Sequence, residues 1–277
     1  MLDETDWMDD VTKATARAKV VVMLGLVGHA TWEMDDEEMI KRHKELHLSP
    51  STSSFAETHT ALRLWNFHES LRELLKPVNR STFTDPAFEI NAAYLPTSNA
   101  ILLPAGFLQP PYFHASFPAG LNFGGIGMII GHEITHGFDD QGSQIDAEGN
   151  LRQWWQNETR QEFIARAKCI VDQYDAIKVP EAVVNGTMLH INGQRTQGEN
   201  IADNGGMRAA YRAFKKYIAK HPERATEPGV NFTAEQLFFL GWSQPWCSKY
   251  TEGAMITQLL ARPHSPPRYR ADMVPSN

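Results

Sequence analysis

The apolar run from Ile126 to Phe138 carries His132-Glu133-Ile134-Thr135-His136, and this feature constrains the chain more than any other. Residues four apart lie on one face of a helix, so two imidazoles one turn apart can address a single tetrahedral ion. Glu133 follows the first imidazole and points beside that ion, where a carboxylate can take a proton from an activated water. A shuffled chain of this composition would contain the pattern about 0.03 times. The competing interpretation is a pair of core histidines on an apolar helix.

A catalytic zinc needs a third protein ligand and one position left for solvent. In one common arrangement His136 would be followed by Gly three positions on and His six positions on; Asp139 and Gly142 stand there instead, so that arrangement is excluded. The other solution places a Glu on a separate helix. Gly198-Glu199-Asn200-Ile201-Ala202-Asp203-Asn204-Gly205-Gly206 supplies one, with Glu199 and Asp203 on one face and two glycines that permit close helix approach. Glu199 can then ligate while Asp203 hydrogen-bonds a ligand imidazole. Taken alone, the segment reads equally as a surface Glu with a capping Asp; the need for a third ligand shifts the weight to Glu199. Four protein ligands would close a purely structural zinc site, and His132, His136 and Glu199 make three.

The rest of the chain supplies a folded frame. Its 277 residues suggest one large domain or two, and 42% hydrophobic and 21% charged residues exclude collagen-like and disordered classes. A net charge of −7 argues against nucleic-acid or anionic-membrane partners. The apolar stretch Val20 to Val27 is far shorter than the ~20 residues that span a bilayer. The acidic first ten residues lack the basic start of a secretory signal, and Met1 reads as the start of a fragment. Asn79, Asn157, Asn185 and Asn231 begin Asn-x-Ser/Thr sequons, a weak pointer to an extracellular chain.

Periodicity predicts helices over Asp6 to about Val27, Asp35 to Leu48, Phe55 to Leu75, Ile126 to Phe138, Trp154 to Tyr174, Gly198 to His221 and Thr233 to Trp246, the last opened by a Thr233/Gln236 capping box. Ser49 to Ser54 reads as a loop. Phe88 to Tyr94 and Ile101 to Leu103 read as two strands of a hairpin around Pro96-Thr97-Ser98-Asn99. Pro104 to Gly127 reads as an ordered loop packing aromatic rings against the helix behind it, and Asp139 to Gly149 as an acidic turn region.

Four blocks together resemble the neprilysin and endothelin-converting-enzyme family of zinc metallopeptidases. They are Asn91-Ala92-Ala93-Tyr94, Leu103 to Pro111, Gly124 to Asp140, and Gly198 to Gly206, in family order. The resemblance covers nearly the whole chain. It implies an α+β, predominantly helical, thermolysin-like zincin lobe with a small sheet and an edge strand, the whole of 1–277 forming one catalytic domain. It implies one Zn2+ held by His132, His136 and Glu199, with Glu133 as base. Asp139 and Asp203 would orient the ligand histidines, Asp203 being counted with the catalytic group as well.

By the same resemblance, Asn91 and Ala92 would bind the substrate backbone by strand addition. His264 would stabilise the oxyanion, and Arg270 would bind a substrate carbonyl; otherwise both read as surface residues of a Pro-rich loop. The implied activity is cleavage of peptides on the amino side of hydrophobic residues, outside the cell or at its surface. The family's membrane helix, substrate-enclosing lobe and C-terminal Cys-x-x-Trp have no counterpart here. The cysteines that pair with Cys169 and Cys247 in relatives are therefore missing, which leaves both expected free or paired only in an arrangement foreign to the family. Ala93 replaces a usual aromatic and Arg262 a usual acid. The alternative is a catalytically weak, zinc-loaded peptide-binding module.

Overall fold

A computed structural model describes residues 2–48, 54–225 and 231–276. Helix α1 (Asp10–Val21) starts from Asp9, whose side chain accepts from the Thr12 backbone N–H. The expected helix to Val27 stops six residues early, because Leu24–Gly28 is strand β1. A short apolar run fits helix or strand equally, and here a parallel partner decides: β1 pairs residue for residue with β3, Leu24 opposite Ala100 through Gly28 opposite Pro104.

Helix α2 (Asp36–Arg42) is shorter than expected, and α3 (Phe55–Glu73) opens on a Ser54/Glu57 capping box. Most of the loop expected at Ser49 to Ser54 lies outside the described residues. Strand β2 (Ala93–Leu95) pairs antiparallel with β3 (Ala100–Pro104), giving a sheet of order β1-β3-β2 in which β3 is central and wholly buried. Phe88 and Ile90, expected in the first strand, lie outside it and are exposed. The segment after Pro104 contains α4 (Ala119–Asn122) and a π-helical turn, Phe123–Gly127, that leads into α5 (Met128–His136).

Helix α6 (Asn157–Asp175) precedes a hairpin of β4 (Lys178–Val184) and β5 (Thr187–His190), which is not among the elements expected above. Its two-residue turn, Asn185-Gly186, has positive φ at both positions, the geometry that matches strand twist and favours Asn-Gly. That dipeptide was the available signal. Helix α7 (Gln197–Lys220) is followed by α8 (Ala234–Ser243), capped by Thr233 and Gln236 as expected, and by α9 (Glu252–Ala261) and α10 (Pro267–Ser276). The last two were also unread, and Arg270 accordingly sits on a helix rather than in a loop.

The main core gathers Met128, Phe214, Phe238 and Trp242, each at most 1% exposed, where α5, α7 and α8 meet. A second core of Tyr174, Val179, Ile191, Met255 and Leu259 joins α6, the β4–β5 hairpin and α9. Helices α5 and α7 touch backbone to backbone: a Cβ on Gly206 would lie 2.6 Å from the His132 nitrogen, and one on Gly131 2.8 Å from the Gly206 oxygen. Only glycine at both positions permits this approach.

Candidate metal centre

Close packing of α5 on α7 brings two pairs of residues, each spaced by four, face to face. His132 and His136 look out from α5, and Glu199 and Asp203 from α7. The two Nε2 atoms lie 3.0 Å apart, and Glu199 Oε2 stands 3.4 Å from each. A tetrahedron with metal–ligand bonds of about 2.0–2.1 Å has edges of roughly 3.3 Å, so three ligand atoms sit at nearly the required separations. These residues are the one such group among those described.

Each imidazole is held from behind. His132 Nδ1 is 2.8 Å from Asp203 Oδ1, and His136 Nδ1 is 2.7 Å from Asp139 Oδ2. His136 Nδ1 is hydrogen-bonded to Asp139 and His132 Nδ1 lies within ion-pair reach of Asp203, so both Nε2 atoms face the same point. Glu199 Oε2 is shielded from solvent without a well-aligned donor. Three facing acceptors repel one another unless a proton or a cation lies between them, and their separations fit a divalent ion.

The electrostatics agree. Burial works against charge on His136, yet Asp139 and Glu199 outweigh it and raise its pKa to about 10. Burial would also raise Glu199, but the surrounding imidazoles of His132, His136 and His264 drive it far below the usual carboxylate range. The pocket is built to hold positive charge.

Glu133 is 5% exposed and lines the cleft beside this point; burial pushes its carboxyl above the ordinary range while both histidines pull it back. The cleft has a volume of about 510 Å³. Asn91, Ala92, Ala93 and Tyr94 form one rim, and Phe107, Tyr112, Trp246, His264 and Arg270 line the rest. Asn91 is exposed and Ala92 buried; both immediately precede the paired part of edge strand β2. His264 Nε2 is 3.0 Å from Glu199 Oε2, with its side chain 44% exposed.

Arg270 is buried, a correction to its plain reading as a surface residue. Its Nε and Nη2 donate to both oxygens of Asp203 at 2.7 Å, and its guanidinium lies 3.9 Å from the Trp246 ring centre. Burial raises Asp203, yet Arg270 and His132 more than reverse this and hold it at about 2. Asp203 therefore contacts both His132 and Arg270. Sequence reading missed Trp246 and Lys19. The latter is a buried lysine on α1 whose ammonium donates to carbonyls just after α5, and no local pattern marks it. Cys169 and Cys247 are exposed and form no disulfide with each other.

A His-Glu-x-x-His helix crossed by a carboxylate-bearing helix, with an edge strand along the cleft, defines the thermolysin-like zincin class. Residues 91–277 match the sequence model of peptidase family M13. Neprilysin-1 of Caenorhabditis elegans is 45% identical over the whole chain, and endothelin-converting enzyme 1 of Mus musculus 40% identical over 97% of it. The chain belongs to peptidase family M13. It spans about a third of the length of these relatives, 36% and 34% respectively. Among solved structures, the zinc metalloprotease Zmp1 of Mycobacterium tuberculosis, in complex with an inhibitor, superimposes with a TM-score of 0.84 at 34% identity, over all of this chain and 40% of that one. Among the described residues, no helix is long and apolar enough to cross a membrane.

Proposed function

We propose that residues 1–277 form one catalytic domain of a zinc-dependent endopeptidase that cleaves peptides on the amino side of hydrophobic residues. The observation that carries this is the convergence of His132, His136 and Glu199 on one point, with the buried carboxylate of Glu133 alongside. Bound there, zinc would supply Lewis acidity, bringing the pKa of a water far down to about 7 and polarising the scissile carbonyl.

The chain's own groups do the rest. Glu133 takes the proton from the attacking water and returns it to the departing amine; its raised pKa suits it to both steps. His264 donates to the oxygen on which charge develops. Asn91 and Ala92 extend the edge of β2 and bind an extended peptide backbone. Arg270, locked on Asp203, keeps Nη1 for a substrate carbonyl. Asp139 and Asp203 act as positioning residues for the two imidazoles.

Peptides are the proposed substrates, and a second, substrate-enclosing lobe the proposed partner. Support for the lobe comes from the roughly threefold greater length of the relatives and from exposed apolar residues such as Phe67 and Leu75, 57% and 88% exposed. The proposed location is extracellular or cell-surface; all four sequon asparagines are exposed.

Glu133→Gln keeps the three metal ligands and removes the base. Turnover of a quenched peptide at matched zinc content is expected to fall by about 10²-fold or more. Equal rates would exclude the role of Glu133. A binding-only module predicts that parent and variant alike leave the peptide intact.

A further inference from the structure

Lys19 is 1% exposed. Its ammonium donates to the carbonyls of Ile145 at 2.6 Å, Gly137 at 2.7 Å and Gly142 at 2.9 Å, which uses all three of its protons. The rings of Phe138, Trp154 and Tyr94 surround it at 5.4, 5.7 and 5.8 Å. A buried ammonium in such surroundings is costly, and all of its donors are spent on one stretch of backbone, the turn that leaves α5.

That turn carries Asp139. One oxygen of Asp139 meets His136 Nδ1, and the other accepts from the backbone N–H of Gln141 at 2.8 Å and of Gly142 at 2.6 Å. Gly142 is thus held from both ends, its N–H by Asp139 and its carbonyl by Lys19. The backbone oxygen of Lys19 in turn accepts from Asn99 Nδ2 at 3.0 Å, and Asn99 Oδ1 accepts from the Tyr94 hydroxyl at 3.0 Å. Through one residue of α1, the turn behind the metal centre and edge strand β2 share an anchor.

We propose that Lys19 is a positioning residue for the metal centre, its ammonium fixing the turn that aims Asp139 at His136. This rests on the metal-site reading of His132, His136 and Glu199.

The test is the zinc dissociation constant of the 277-residue chain, measured at neutral pH by competition with a chromophoric chelator, together with the visible spectrum of bound cobalt(II). If the parent binds no zinc, the metal-centre reading fails whatever Lys19 does. If it binds one, Lys19→Met is expected to raise Kd about tenfold, the lower end of what losing an outer partner of a ligand costs, and to alter the cobalt spectrum. Leu259→Ala, which weakens the second core, should lower thermal stability yet leave Kd and spectrum at parental values.

In an Asp139→Ala background, Lys19→Met should change Kd by no more than about twofold, the usual additivity error, because its route to His136 is already cut. Parental Kd and spectrum in Lys19→Met, an equal Kd loss in Leu259→Ala, or full additivity with Asp139→Ala would overturn the proposal. Should Lys19→Met not fold, the decision passes to Lys19→Arg, whose planar head cannot meet the same three carbonyls: a raised Kd supports the role, a parental one refutes it.

Discussion

Helices α3 and α5 make opposite use of local and distant forces. With 19 residues and a complete capping box, α3 is the better specified by its own sequence, yet it buries none of them; Phe55 is 86% exposed. By contrast α5 has nine residues and no side-chain cap at its start, yet it buries Met128, Ile129, Gly131, His132 and Glu133. Caps and propensity determine that a helix forms. Where it goes, and whether it can hold a site, depends on what presses against it, and for α5 that is the backbone of α7.

The sharpest way to break this contrast is Gly206→Ala. The added methyl would meet His132 backbone atoms at 2.6 and 2.9 Å, so the helices must separate. A loss of about 1–3 kcal/mol is expected in denaturant unfolding, with zinc binding weakened in the same sample. Unchanged stability would mean that α5 does not depend on close contact with α7.

Asp9 is next. It caps α1 but is also tied across the fold to the Thr159 hydroxyl at 2.5 Å. Asp9→Ala is expected to cost about 1–2 kcal/mol. Burial would raise its carboxyl, yet hydrogen bonds from Thr12 and Thr159 hold it at about 2, below its ordinary 3.8. A depressed folded pKa stabilises the fold above the unfolded value, so this contribution is lost as pH falls from about 4 to 2. In metal-stripped protein, thermal midpoints across that window should fall more steeply for the parent than for Asp9→Asn; parallel slopes would count against it.

Ser54→Ala removes a cap that, among the described residues, no other element shares. It should cost about 0.5–1 kcal/mol of local helix stability, seen as faster amide exchange in α3, with zinc affinity unchanged. Phe67→Ser should alter global stability by less than about 0.5 kcal/mol. A larger loss in denaturant unfolding would show that α3 packs on something in solution.

Much of the centre was legible. His132, Glu133 and His136 announce themselves because two imidazoles and a carboxylate suited to ligation and proton transfer fall within about one helical turn, and Glu199 with Asp203 repeats the spacing on another helix. Other features were not. The run Val20 to Val27 carries no period that separates helix from strand, and pairing with β3 resolved it. The Asn185-Gly186 turn was readable but unread. Arg270 looked exposed because nothing nearby in sequence reveals Asp203 and Trp246, and Lys19 looked like any solvated lysine of an amphipathic helix.

The sequence by itself determined which side chains share a face: His132 with His136, Glu199 with Asp203, and the glycines that let their helices touch. Helical periodicity is a local property and needs no partner. Only the tertiary structure decided that these faces meet, that Arg270 reaches Asp203 across 67 positions, and that Lys19 reaches Gly137 across 118. Such contacts follow from how buried surfaces pack, which no spacing along the chain encodes.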